Sequence, residues 1–437
     1  MAVIYGRRRI GKTTLINRFI DEAGCRTVSF AAVERTEKEL LEMMSETVLE
    51  ALSPELKGII GFDSFDKLFD YLTTQAAKEK IIFFIDEYPY LARECRYMNS
   101  LIQKYVDYKW KNTEMYLILC GSMVSFMREE VLSESAPLHG RSTLEMRIRP
   151  FDYLETAGFC PEYSCEEKAI LYGVTGGVAK YLEQFDPNLP LNENIIRQYF
   201  TSTGYFSEEQ IKTVITGERS NPTIYSSTIS AIAGGCTTYN EIATAVGISD
   251  ITYCLKMLTK AEIIEKRTSK KSYYVIKDGT VRFWFRFAGR AQSLVNAGRG
   301  RDYFEREVKG RLHEYMGSIF EDICSQYILR KMGTGNIPFV TNLAEYQVGV
   351  KETGGVTQIE IDLLGRNGKD IALIGECKFR SHPFGREEYD ILLNKVRLLK
   401  AEKATLVIFS LSGFDEYVSG QTNVIKVDIS EMYATGT

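Results

Sequence analysis

Apolar residues recur with two periods along the 437-residue chain, and each predicts a different element. Short solid runs, AVIY (2–5), IIFFI (81–85) and YLILC (116–120), predict buried strands. Helical spacing follows in KTTLINRFI (12–20) and returns in SCEEKAILYGVTGGVAKYLEQF (164–185). Beyond the prolines and asparagines of FDPNLPLNEN (185–194), three more helices are predicted: TIYSSTISAIAGG (223–235), TTYNEIATAVG (237–247) and SDITYCLKMLTKAEIIEK (249–266). Thr237 or Thr238 caps the second, Gly247 stops it, and Ser249 opens the third. RTSKKSYYVIKDGTVRFWFRFA (267–288) alternates like a hairpin with a charged tip. Helix–helix–helix–hairpin is the layout of a winged helix-turn-helix.

The C-terminal third changes rhythm again. In HEYMGSIFEDICSQYILRKM (313–332), Met316, Ile319, Phe320, Ile323, Tyr327 and Ile328 form a helical stripe with Glu321 beside it. QIEIDLLGRNGKDIALIGECKFR (358–380) is a strand–turn–strand with GRNGKD as the turn. FGREEYDILLNKVRLLKAE is a helix, while KATLVIFSLSGF and TNVIKVDISEM are strands, completing an α-β-β-β-α-β order. Period-two geometry puts Glu360 and Asp362 on one face of the first strand, with Ile359, Ile361 and Leu363 on the other. In the second strand Ala372, Ile374, Glu376 and Lys378 share a face, and Leu373, Cys377 and Phe379 point away.

Candidate chemistry sits at strand ends. GRRRIGKTT fits G-x-x-x-x-G-K-[ST] through Gly6, Gly11, Lys12 and Thr13, between a strand and a helix as that motif requires. Backbone N–H groups of the loop, with Arg9, Ile10 and Thr14 among its residues, would close on phosphate at a helix N-terminus. Lys12 would reach the β- and γ-phosphates of ATP, and the Thr13 hydroxyl would ligate Mg²⁺. IIFFIDE ends in Asp86, a second Mg²⁺ residue, and Glu87, which would polarise the attacking water. Ser122 ends the third strand where a sensor would touch the γ-phosphate, although small residues end many strands. Arg141 in PLHGRS is either a finger for the transferring phosphoryl group or an ordinary loop arginine.

At the other end, Asp362, Glu376 and Lys378 can converge across a hairpin, joined by Glu321. Asp362 and Glu376, with the Cys377 carbonyl, would hold Mg²⁺; Lys378 would steer a nucleophile or stabilise a pentavalent phosphate. A hairpin of solvated charges, or a fold that binds without cutting, stands beside that assignment.

Composition adds limits. The charge is −4 overall, yet residues 251–300 hold eleven Lys/Arg against three acids, a local +8 that points to nucleic acid or to a solvated face. Lys256, Lys260, Arg267, Lys270 and Lys271 are the candidates for phosphate contact, and the aromatic run Phe283, Trp284, Phe285 and Phe287 is expected to pack. Three histidines and nine scattered cysteines without a C-x-x-C pair argue against zinc and disulfides. No apolar run reaches the ~18–20 residues of a membrane span, and a cytoplasmic location is expected.

GRRRIGKTTL, FFIDEYPYL, LCGSMVSFM and PLHGRS together resemble the archaeal-type P-loop ATPases, relatives of AAA and STAND ATPases. The resemblance implies an α/β multidomain chain: an AAA-like core (1–150), a helical lid (151–204), a winged helix-turn-helix (205–298) and a C-terminal α/β domain (299–437). That last segment resembles the PD-(D/E)xK nucleases, notably those like restriction endonucleases and Holliday-junction resolvases. The function implied is ATP hydrolysis coupled to action on DNA, with a candidate Mg²⁺-dependent nuclease and possible homo-oligomers; the alternative is a nucleotide-controlled switch whose last domain only binds. Two departures stand out. Relatives usually carry a segment before the first strand that helps to hold adenine, whereas Met1 lies almost inside the strand here. In GGVAKYL, Ala179 stands where the family motif has proline.

Overall fold

The computed structural model describes residues 1–216, 222–268, 272–352 and 355–434. The chain divides into two compact units, Met1–Pro150 and Phe151–Thr437. Among the described residues no helix is long and apolar enough to cross a membrane.

The first unit is an α/β layer structure around a five-stranded parallel sheet of order β2-β3-β4-β1-β5. Its strands are β1 (Ala2–Tyr5), β2 (Arg26–Ala31), β3 (Ile81–Asp86), β4 (Met115–Gly121) and β5 (Leu144–Arg147). The solid apolar runs arise because both faces of this sheet are covered. Alternate residues serve opposite cores: Ile81, Phe83 and Ile85 pack with Val3, Leu117 and Leu119. Ile82 and Phe84 pack instead with Ala2, Ile4, Ile118 and with Ile16 of helix α1 (Lys12–Ala23). Burial of Phe83 alone contributes about 1.5–3 kcal/mol, so the strand ends that carry polar groups are held by a stiff base.

In the second unit a set of helices spans 153–216. Gly176 and Gly177 join two of them with φ of 62° and 68°, and a Cβ on Gly177 would lie 1.9 Å from the Phe151 carbonyl oxygen. Ala179 is the first residue of the short helix Ala179–Leu182. That position suits proline because its N–H is unused, and alanine serves there without breaking a bond.

Three helices follow: α2 (Pro222–Ala233), α3 (Tyr239–Val246) and α4 (Thr252–Lys260). Thr238 and Glu241 form a reciprocal capping box at the start of α3, and Gly247 at φ 75° ends it. Ser249 does not open α4; the Asp250 carboxylate accepts from the Thr252 N–H and turns the chain one step later. The alternating stretch is only half a hairpin. Strands β6 (Ile264–Thr268) and β7 (Ser272–Ile276) form an antiparallel ribbon, but Gly279–Arg286 is helix α5. Phe283 and Phe287 fit helical as well as alternate spacing, and Asp278, which accepts from the Val281 N–H, starts the helix. Phe283, Trp284 and Phe287 are buried, as expected of a packing surface. Lys270 and Lys271 lie outside the described residues.

Helix α6 (Leu312–Lys331) and a second five-stranded sheet, order β12-β11-β10-β9-β8, complete the unit. The strands are β8 (Asn342–Glu352), β9 (Gly355–Asn367), β10 (Asp370–Lys378), β11 (Thr405–Ser410) and β12 (Ile425–Asp428), with helix α7 (Arg386–Leu398) between β10 and β11. All six stripe residues of α6 are buried, and the rings of Phe320 and Phe379 stand 5.2 Å apart. Helix α7 covers the opposite face, where Tyr389, Leu392 and Val396 meet Ile359, Ile361, Leu364 and Ile374. Strict alternation fails at one point in β9. Ala344 pairs with Leu364 but Tyr346 with Ile361, so Glu345 faces both Asp362 and Leu363. This bulge puts Leu364, not Leu363, with Ile359 and Ile361.

Candidate functional sites

The first site lies at the carboxyl ends of β1, β3 and β4. Gly6 has no room for a side chain, since a Cβ would lie 2.3 Å from the Ile148 carbonyl oxygen and 2.5 Å from Ile10 Cδ1. Ile10 is thus a core residue that wedges the loop from beneath, and only its backbone can face a ligand. Gly11 precedes α1 at φ 89°, and Arg9 is also left-handed at φ 71°. Gly11 offers no side-chain cap, so the first N–H groups of α1 stay available to an anion. Thr14 is exposed on the first turn.

Lys12 is buried and donates to the Arg7 carbonyl oxygen at 2.9 Å. Burial lowers its pKa, while Cys120, Glu87 and Asp86 work the other way. Thr13 Oγ1 donates to Asp86 Oδ2 at 2.7 Å, so both proposed magnesium residues point at one place. Glu87 adopts a left-handed φ of 49°, and its Oε2 accepts from both the Ser122 N–H (3.2 Å) and the Ser122 hydroxyl (2.7 Å). Ser122 therefore meets the glutamate directly. The chemistry of this donor set fits Mg²⁺ with a nucleotide: two hard oxygens in contact, a lysine and a run of open N–H groups.

Arg141 is not brought into this cluster. Its Nε and NH2 hold both oxygens of Asp107 at 2.8–3.0 Å, and its NH1 donates to the carbonyls of Pro137 and His139 at 3.0 Å. It ties its own loop to the helix Met98–Tyr108.

The second site is assembled where β9 and β10 part. Their ladder ends at Leu363 with Gly375, which leaves the Cys377 N–H without a β9 partner. Asp362 Oδ2 accepts it at 2.8 Å. Lys378 Nζ lies 2.7 Å from Glu376 Oε1 and 3.9 Å from Asp362. A residue the sequence did not reveal completes the group: Lys395 of α7 donates to Glu376 Oε2 at 2.8 Å. Its only signal was a lysine flanking the apolar stripe of Tyr389, Leu392 and Val396. It also lines a 750 Å³ groove between β9 and α7 with Gln358, Arg386 and Asn394.

Glu321 reaches the site from α6. Burial, then the charges of Asp362, Glu345, Asp322 and Glu360, push its pKa up to about 8. Burial and Glu376 raise Asp362 to about 6, against the pull of Lys378. Burial weighs against the Lys378 charge, but Glu376 and Asp362 overcome it and raise its pKa. The Cys377 thiol points away from the group, buried against Cys324. The expected metal set is therefore assembled only in part. Among the described residues no group of three or more His, Cys, Asp or Glu side chains could hold a metal ion. Glu376 is already committed to two ammonium groups, whereas Asp362, with Lys378 no nearer than 3.9 Å, and the buried Glu321 have hard oxygens suited to a cation.

A parallel α/β sheet carrying this loop, with Thr13 against Asp86, defines a P-loop ATPase domain. Comparison with known proteins agrees: the family described as "ATPase domain predominantly from Archaea" matches residues 1–185. A second family, of archaeal and bacterial proteins of unknown function, matches residues 284–392. The chain belongs to the family of an uncharacterized protein of Methanocaldococcus jannaschii, 32% identical over 347 residues, 77% of this chain and 74% of that one. In fold it is similar to a Walker-type ATPase of Pyrococcus abyssi, with a TM-score of 0.50 and 20% identity over 65% of this chain and 91% of that one.

Proposed function

We propose that the chain hydrolyses ATP and uses the nucleotide cycle to act on nucleic acid. The observation that carries the ATPase reading is the 2.7 Å contact of Thr13 with Asp86 beside a buried lysine. Bound Mg²⁺–ATP supplies an activated phosphoanhydride. Around it Lys12 would leave the Arg7 carbonyl for the phosphates, the α1 N–H groups would orient them, and Thr13 and Asp86 would hold the metal. Glu87 must turn from Ser122 to take a proton from water, so Ser122 both restrains the base and senses where it goes.

Nucleic acid is supported by α2, α3, α4 and the β6–β7 ribbon, taken as a winged helix. Tyr253 of α4 is 69% exposed and Lys256 stands exposed one turn on. Lys266 is exposed on the ribbon. The domain limits at 204 and 298 belong to the same proposal. The second reading for the C-terminal site is a metal-dependent phosphodiesterase. It is favoured by Asp362 and Glu321, which would hold the cation, with Lys378 beside the scissile phosphate. Phosphate release from ATP should be stimulated by duplex DNA and abolished by Lys12→Ala. A Lys12→Ala protein that turns over at the wild-type rate ends the ATPase reading, and a Lys256→Ala/Lys266→Ala protein that binds DNA with an unchanged salt slope ends the winged-helix one. Cleavage of labelled DNA with Mg²⁺ or Mn²⁺, equal in wild type and Asp362→Ala, ends the nuclease reading.

A further inference from the structure

The winged-helix ribbon lies over the C-terminal site. A cavity of 340 Å³ has Lys266, Arg267 and Tyr273 on one wall and Glu321, Glu345 and Asp362 on the other. Two contacts fasten the walls together. Arg267 NH2 donates to Asp322 Oδ1 at 2.9 Å, and the Tyr273 hydroxyl donates to Glu345 Oε2 at 2.6 Å. The anchors flank the site: Asp322 follows Glu321 in α6, and Glu345 faces Asp362 across the bulge. The space between is at the low end of pockets that enclose one small molecule, about 300–1,000 Å³.

The charges are self-complementary. The ribbon presents cations to a floor of four carboxylates, Glu321, Asp322, Glu345 and Asp362. Arg267 also holds Glu265 of its own strand at 3.3 Å. One guanidinium has a fixed fork of donors, so a backbone phosphate and Asp322 compete for the same N–H groups. Burial, then the bond to Glu345, pushes the Tyr273 pKa up to about 12, so it stays a donor at neutral pH.

We infer that the β6–β7 ribbon is an inhibitory cover on the C-terminal site, released when a nucleic-acid backbone takes Arg267 from Asp322. This rests on the proposed phosphodiesterase reading of that site. The cover couples binding to cutting: the basic surface that meets the polyanion also shields the acidic floor that would otherwise repel it.

The test uses the full chain, Arg267→Ala/Tyr273→Phe and the single Tyr273→Phe, with a labelled single-stranded oligonucleotide and its duplex as probes. Amide hydrogen exchange at 264–268 and 272–276 reads the cover itself, and metal-dependent cleavage reads the site. Loss of two partly exposed hydrogen bonds to charged groups, at about 1 kcal/mol each, should speed ribbon exchange at least roughly tenfold, leave β9–β11 unchanged, and raise cleavage by a similar factor. Either oligonucleotide should speed ribbon exchange in the wild type. If neither substitution nor oligonucleotide alters ribbon exchange, the cover is refuted. If exchange rises while cleavage falls, Arg267 and Tyr273 bind substrate and the inhibitory role is overturned. Faster ribbon exchange with no cleavage by any protein supports the cover and refutes the phosphodiesterase reading alone. Should the double variant fail to fold, Tyr273→Phe carries the same readouts at a smaller step.

Discussion

The two sites solve opposite electrostatic problems. At the P-loop most of the groups are contiguous, from Gly6 in the loop to Thr13 in the first turn of α1: Lys12 rests on a carbonyl, and Thr13 donates to Asp86 at the end of β3. At the C-terminal site the groups come from α6, β9, β10 and α7, and Glu376 is already paired with two lysines. The first is poised to gain stability from a ligand. The second holds itself together, and under the proposed phosphodiesterase reading its ion pairs would have to rearrange or stay as scaffold. Where one loop supplies most of the groups, neighbouring backbone fixes them and they need no ion pairs among themselves. A site built from four elements needs its charges to join those elements.

The sharpest way to break that contrast is to remove one charge from each. Lys12→Ala should lower ATP turnover at least about a hundredfold, the scale of losing a donor aimed at transition-state charge. Its melting temperature should hold or rise, because burial disfavours the Lys12 ammonium in the folded state. Glu376→Ala should do the reverse. It strands two ammonium groups whose side chains are 27% and 19% exposed, and should cost about 3 kcal/mol in urea unfolding while ATP turnover is unaffected. Adding Lys395→Met to it should recover part of the loss. Equal unfolding midpoints for Glu376→Ala and wild type would show that the lysines do not depend on it.

The same contrast governs what the sequence disclosed. The P-loop assignments from Gly6 to Asp86 needed only local period and motif spacing, and the described sheet brings Thr13 and Asp86 together across 73 residues because α1 starts beyond the end of β1 and Asp86 ends β3, parallel strands with β4 between them. The C-terminal group was legible in part: the hairpin brings Asp362, Glu376 and Lys378 together as the alternation implied, but their further partner was not. Lys395 lies 19 residues beyond Glu376 on another element, and no period links them. The β9 bulge moved Leu364 to the face expected for Leu363, since one inserted residue inverts every later position. Helix α5 was hidden for a related reason: Phe283, Phe285 and Phe287 alternate, and only the Asp278 cap tells helix from strand.

A gentler probe is pH. Glu321 rises from an ordinary 4.5 to about 8 and Asp362 from 3.8 to about 6 in the fold, burial being the first cause of both. The folded state then holds more protons than the unfolded one, so stability falls as pH climbs through roughly 4–8. Wild-type melting temperature should therefore drop across this window more steeply than that of Glu321→Gln/Asp362→Asn, which lacks both titrations. Mn²⁺ should flatten the wild-type slope by supplying the missing countercharge. Parallel slopes for the two proteins would place the carboxylates in ordinary solvent and remove the case for a cation.

The smallest effect belongs to Arg141, and it tests whether the first unit is as open as its loop. Its bidentate pair with Asp107, about 30% exposed on each side, should be worth about 1 kcal/mol. Arg141→Ala should lose that much in unfolding, and Asp107→Ala the same, with little further loss in the double variant because each removes the same bond. Turnover at low protein concentration should stay within about twofold, since the guanidinium is spent on Asp107, Pro137 and His139. A loss of turnover beyond tenfold in Arg141→Ala, absent from Asp107→Ala, would instead mean that the arginine leaves its carboxylate to reach phosphate. The P-loop site would then also depend on an ion pair that must break before it works.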